Sequence, residues 1–332
     1  MERNKLNVFD ILKEALTIYS KNISFAIITF LTSLPLFCFL VYHEAFLQNF
    51  LLQASQNFQP KERPSSGFSF YITTPSIFDD LKWSLPLDIV RNLNKGLSNE
   101  LLQLGFLHLV PLQLLLLCTV LVTVDLASKI YSEEKALTFK DMLHIRVDRG
   151  RLRGTFITFL YVVFLSTCTL LGFIWLLITY SAVLRYFPSQ TDFLEGFIWN
   201  ETFGFDVSLH LLFGSNLLLL VIIYLAWSAI WNLGLVISVL EGRYGVKALG
   251  SAAFLGLRNA QNGLLLMLVF SVWGLGLRLP CLSFGCYKTR LGIYIQIGLF
   301  CFGNALKWVS FVVYFQDCVR QVSGKRIGQE QG

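Results

Sequence analysis

Gln296, Gly303, Asn304 and Lys307 recur at the 3.6-residue spacing of one helix face within a run that is otherwise apolar from Leu291 to Phe315. A lysine at such a place is costly unless it is wetted, paired or carried to an interface. Two chemistries follow. Lys307 either meets an anionic group such as a lipid phosphate in a polar pocket, or it snorkels to the headgroups or pairs with Asp125, Glu241 or Asp317. Asp125, four residues before Lys129, has the spacing of an interfacial helical ion pair. Glu241 and Arg243 stand at the mouth of another apolar run, where such residues orient and cap. Arg146, Arg149, Arg151 and Arg153 lead into a third run and would draw anionic lipid headgroups at about 1 kcal/mol each near a membrane surface. The same arginines also satisfy the positive-inside rule.

Catalytic and metal chemistry finds little to use. His43, His108, His144 and His210 stand singly, and the chain has no H-E-x-x-H, G-x-S-x-G or Walker pattern. The expectation is a protein that is not an enzyme, with no cofactor and no metal. Cys281 and Cys286 are spaced for a local disulfide on an oxidising side. The other five cysteines read as buried hydrophobes. Asn200-Glu201-Thr202, placed in the loop after the third apolar run, is an N-glycosylation sequon.

The elements that must position these residues are long apolar segments at about 24–42, 104–126, 155–184, 208–240, 263–280 and 291–315. Most reach the ~20 residues needed to cross a bilayer. With 55% hydrophobic and 14% charged residues and a mean hydropathy of +0.60, the 332-residue chain has no room for a large soluble domain. The fold class is all-α: a single six-span domain over 1–320, an extracytoplasmic loop at 43–103 and a short polar tail at 321–332. The fifth segment is the shortest, and a re-entrant segment is the alternative there. Lys and Arg gather before Asn22, between Lys129 and Arg153, between Arg243 and Arg258 and after Arg320, which places both termini in the cytoplasm. A net charge of +6 is ordinary for a membrane protein and gives no reason to expect nucleic acid.

Three cytoplasmic amphipathic helices are expected before the first, third and fifth spans. In the first, Asn7 and Asp10 have capping spacing, with Val8, Ile11, Leu12, Ala15 and Tyr19 as the apolar stripe. In the second, Thr138 and Asp141 repeat that spacing, with Phe139, Met142 and Leu143 as the apolar side. In the third, Val246, Leu249, Ala253 and Leu257 form a stripe that closes in Arg258. Each leads into a hairpin of two spans, the pattern of a threefold repeat. In the long loop, Gln59–Ser66 is a charged linker, and a surface helix is expected over Asp79–Asn94.

The run Ile11-Leu12-Lys13-Glu14-Ala15-Leu16-Thr17-Ile18-Tyr19-Ser20-Lys21-Asn22 before an apolar span resembles the start of a family of six-span membrane proteins of plants. More distantly it is similar to the membrane domain of bacterial glycerophosphodiester phosphodiesterases and related inner-membrane proteins. The segment Glu241-Gly242-Arg243-Tyr244-Gly245 through Leu255 looks like the loop those proteins carry between spans four and five. In the bacterial enzymes the hydrolase is a separate domain, which has no counterpart here. The resemblance therefore implies a fold and a membrane role without catalysis.

Together these features predict a non-catalytic integral membrane protein in membrane-lipid handling or membrane-protein organisation, with membrane lipids and other membrane proteins as partners. A small-solute or lipid transporter using the polar face of the sixth span is one alternative, and a membrane enzyme acting on lipid headgroups is another. No cleavable signal is expected before the first span, which points to entry at the endoplasmic reticulum. Residence there or in a later secretory membrane is expected, with the plasma membrane as the alternative.

Overall fold

The computed structural model describes residues 6–57, 95–133, 149–186, 199–284 and 290–330, and every regular element among them is helical. In order these are α1 (Val8–Lys21), α2 (Ile23–Asn57), α3 (Lys95–Leu107), a π turn (His108–Leu112), α4 (Gln113–Glu133), α5 (Arg149–Tyr186), α6 (Trp199–Leu240), α7 (Val246–Arg258), α8 (Ala260–Phe284) and α9 (Arg290–Glu330). Six segments are long and apolar enough to cross a membrane: Ile23–Phe50, Leu102–Ser132, Gly150–Tyr180, Leu211–Leu240, Ala260–Arg278 and Leu291–Ser323. Helix is the form such segments take in hydrocarbon, because it satisfies every backbone polar group internally. The π turn contains Pro111, whose missing N–H and bulky ring prevent a regular α-turn there.

Several boundaries differ from those read along the chain. Residues 43–57 and 95–103, expected as loop, are helical, as is most of the expected polar tail. Apolar content marks where a helix is greasy, whereas helices continue into the headgroup and aqueous zones on intrinsic propensity. The remainder of the long loop, with Gln59–Ser66 and Asp79–Asn94, lies outside the described residues. The fifth segment is one uninterrupted helix, without the break a re-entrant segment needs.

The chain divides into two compact units. The first comprises Met1–Tyr42, His108–Thr169 and Leu220–Gly332. Its centre is α9. Leu112 packs with Ile297 and Cys301, while Arg320 lies over the Tyr131 ring at 5.2 Å, so α4 and α9 run side by side in the same direction. Tyr314 meets Asn259 and Gly263, and Trp273 covers Gly303, so α8 runs against α9.

In α1 the Asn7 N–H donates to the Asp10 carboxylate at 3.2 Å, as the capping spacing anticipates. Val8, Ile11, Ala15 and Ile18 are buried, the valine and the two isoleucines worth about 1.5–3 kcal/mol each. The helix is docked against α9, α4 and α8. Its ends show the course it takes, with the Leu6 carbonyl accepting from Asn262 Nδ2 at 2.8 Å and the Tyr19 ring 6.0 Å from that of Phe302.

Exposure within this unit is zoned. Large apolar side chains are exposed on α8 from Leu265 to Leu275 and on α9 from Leu291 to Phe302, whereas Trp308 to Phe315 is buried on every side. On α6, Val221 to Ile223 and Trp227 are exposed, and Trp231 to Val239 is buried throughout. The second unit comprises His43–Leu107 and Leu170–Leu219; within it the rings of Tyr180 and Phe213 pack at 4.8 Å.

Candidate functional site

The turn joining α6 to α7, Glu241-Gly242-Arg243-Tyr244-Gly245, is shaped by two glycines with φ of 66° and 62°. A side chain is disfavoured in that region, and Gly245 in particular needs its freedom because its φ of 62° is combined with ψ −135°. The turn is held from α5. The Gly245 N–H donates to Thr158 Oγ1 at 2.8 Å, Thr158 and Ser238 share a hydrogen bond at 3.1 Å, and Ser238 Oγ donates to Thr155 Oγ1 at 3.3 Å. All three hydroxyl residues are fully buried, so the network supplies the partner that a buried backbone N–H requires. The Tyr244 ring lies directly over Gly154, where a Cβ would collide with it.

This turn presents Arg243. Its Nε faces Glu241 Oε2 at 3.3 Å, and its Nη1 donates to Ser251 Oγ at 3.1 Å. The guanidinium has five N–H donors in a planar fork, and this side chain is 61% exposed, so donors remain for a further partner. Around it opens a cleft of about 490 Å³, lined beside Glu241 and Arg243 by Ser251, Phe254 and Leu255 of α7 and by Val319, Val322 and Ser323 of α9. Arg258 sits over the Phe254 ring at 5.1 Å. α7 contains no acidic residue, and both Lys247 and Arg258 are exposed. The arrangement combines a preset anion-binding fork with apolar lining side chains.

The stripe expected on α7 is split, because its Leu249 packs against Gly234 of α6. Val246 and Leu257 are exposed and Leu249 is partly buried, while Ala248, Ala252 and Leu255 form the inner face. The helix is apolar on both faces, so periodicity could not choose between them. The small alanines allow close approach to α6, and that decided the orientation.

On the sixth span Gln296, Asn304 and Lys307 are partly buried, and Gly303 is covered by the Trp273 indole, whose Nε1 lies 2.5 Å from where a Cβ would stand. Gln296 Oε1 is buried with no hydrogen-bond partner. Lys307 Nζ stands 4.5 Å from the centre of the Trp308 ring. None of the three carboxylates considered as its partner pairs with it: Asp125 bonds Lys129 at 2.9 Å, Glu241 faces Arg243, and Asp317 accepts from Gln321 at 2.6 Å. The Asp125–Lys129 pair is the i, i+4 contact its spacing indicated.

Arg151 and Arg153 are exposed in the first turns of α5, and Arg149 begins that helix. Arg146 and the second expected amphipathic helix lie outside the described residues, as does Cys286. Cys281 is in α8 and Asn200 in the first turn of α6 rather than in a loop, with their side chains outside the described set. Cys38, Cys118 and Cys168, expected to be buried, are exposed, which a thiol tolerates on an apolar-facing surface; Cys301 and Cys318 are buried.

Reading along the chain missed the Thr155–Thr158–Ser238 network. Its one signal was two threonines three residues apart at the start of a span, which is equally consistent with hydroxyls bonded to their own helix backbone. Asn259, only 2% exposed and with both side-chain polar atoms unpartnered, was missed as well.

Six spanning helices with a polar, turn-built cleft at one end of the first unit define a multi-pass α-helical integral membrane protein. No protein-family model, curated protein or solved structure matches the chain.

Proposed function

We propose that this is a non-catalytic integral membrane protein of membrane-lipid handling, which gathers anionic lipid on the side that carries α1 and α7, the cytoplasmic side by the distribution of Lys and Arg. The outer face of α7 carries this reading. Val246, Phe254 and Leu257 are 66%, 58% and 72% exposed, Lys247 and Arg258 accompany them, and the helix has no acidic residue. An apolar face with flanking cations is the signature of a helix at an anionic bilayer surface. Its position agrees, because α7 leads within two residues into the fifth span, beside the zone of exposed apolar side chains that lipid would cover.

The test is reconstitution of the full chain in bilayers of phosphatidylcholine with a minor share of phosphatidylserine, followed by analysis of the lipid that co-purifies. Enrichment of phosphatidylserine over the bulk membrane, lost in a Lys247→Gln, Arg258→Gln variant, supports the reading. Co-purified lipid matching the bulk in both proteins would sink it. A transporter is the second reading, favoured by the unpartnered Gln296 oxygen on the same helix face as Lys307.

A further inference from the structure

We infer that the Arg243 cleft is a specific site for one phospholipid headgroup, with the phosphate on the Arg243 fork and the acyl chains directed past Phe254 and Leu257; this rests on the lipid-handling reading above. Three observations meet there. Arg243 is preset: the flanking glycine turn, Glu241 at 3.3 Å and Ser251 at 3.1 Å fix the guanidinium before any ligand arrives, so little side-chain entropy is lost on binding. Phosphate is the group such a fork matches, since it takes two parallel N–H donors at once. The Ser251 hydroxyl beside it can donate to a second phosphate oxygen.

Much of the remaining lining is apolar, from Phe254, Leu255, Val319 and Val322 beside Ser323, and a free phosphate would leave it unused. Phe254 and Leu257 stand three residues apart on one face of α7 and are both exposed, so they continue that apolar lining towards the start of α8, where Leu265 is exposed in turn. A ligand with a phosphate at one end and hydrocarbon at the other fits this sequence of surfaces. Glu241 disfavours a headgroup of high negative charge and favours one with a single phosphodiester.

Native mass spectrometry of the full chain, released from the bilayers described above, tests the assignment. One phospholipid retained per chain is expected, with Arg243→Gln losing it and Arg243→Lys, which keeps the charge but not the fork, weakening retention at least tenfold. Ser251→Ala, on the exposed side of α7, serves as a second variant that leaves the turn intact; weaker retention is expected there too. The same protein is titrated with a short-chain phosphatidylglycerol and, separately, with inorganic phosphate. Saturable binding of the phosphatidylglycerol but not of phosphate supports a lipid headgroup site. Equal binding of phosphate overturns the lipid assignment. If phosphatidylserine enrichment persists through Lys247 and Arg258 while no retained lipid depends on Arg243, the cleft proposal fails and the lipid-handling reading stands; loss of both removes both.

Discussion

Tyr314, in the sixth span, donates its phenol to the backbone carbonyl of Asn259 across 3.1 Å, and so ties the central helix to the junction between α7 and the fifth span. The same carbonyl accepts from the Asn262 and Gly263 backbone N–H groups at 3.1 and 3.3 Å, and Asn262 reaches on to the Leu6 carbonyl. Four elements, α1, α7, α8 and α9, therefore meet around one short junction. Because the Asn259 carbonyl keeps other donors, Tyr314→Phe should cost only about 1 kcal/mol. Melting in detergent checks this, and a loss several times larger would mean that the phenol carries more than one bond.

The hydroxyl network under the glycine turn gives a larger effect. Thr158→Val keeps the shape but leaves the Gly245 N–H without its acceptor in a buried place, at a cost of about 1–3 kcal/mol. Thr158→Ser restores the acceptor and should recover most of the loss. Equal stability of the valine and serine variants would show that the bond does not hold the turn.

At Gly154 the constraint is steric. Gly154→Ala sets a methyl group into the Tyr244 ring, and overpacking of this kind costs about 1–3 kcal/mol. Adding Tyr244→Ala should relieve the clash, so the double variant is expected to lose less than the two single losses added together. Strict additivity in a double-mutant cycle would contradict the close approach.

Lys307 has no carboxylate within ion-pairing distance among the described residues, so Lys307→Leu breaks no salt bridge. The folded bundle is expected to survive with a change within about 1 kcal/mol, the loss of a cation–π contact being offset by easier burial. Liposome flux of small solutes, measured on the same variant, separates the transporter reading: unchanged behaviour is expected for a lipid-handling protein, and abolished flux in an intact fold would favour transport.

Burial in the contact with Phe25 and Phe302 pushes the Tyr19 phenol up to about 12 from its ordinary 10.0. A raised folded-state value means that the fold favours the neutral phenol. The stability from this site is fully present below pH 10 and is lost as pH rises through 12. Tyr19→Phe keeps the ring and should remove that alkaline step from a plot of melting temperature against pH. Parallel decline of both proteins would show that α1 docking is insensitive to the phenol.

Much of this organisation was legible along the chain because hydrocarbon imposes a severe condition on it. Segments such as Thr155–Leu184 admit one structure, a helix, since nothing else satisfies their backbone in lipid. The Asn7–Asp10 cap and the buried Val8, Ile11 and Ala15 stripe were likewise local matters of spacing. Lys307 shows where local reading stops: its position on a face was visible, but its three proposed partners were each taken by nearer groups, Lys129, Arg243 and Gln321.

The sequence by itself determined the class of the protein, the six apolar segments, and the helical identity of α1 and α7, all of which depend on composition and short-range period. Only the tertiary structure decided that α1 docks along α9, that α7 buries its alanines and turns Val246, Phe254 and Leu257 outward, and that Arg243 is braced between Glu241 and Ser251. Those outcomes depend on which small residues let helices approach and on which buried donors must find acceptors across dozens of positions. Thr158 and Gly245 are the clearest case: their bond joins residues 87 apart in the chain, and no periodicity records it.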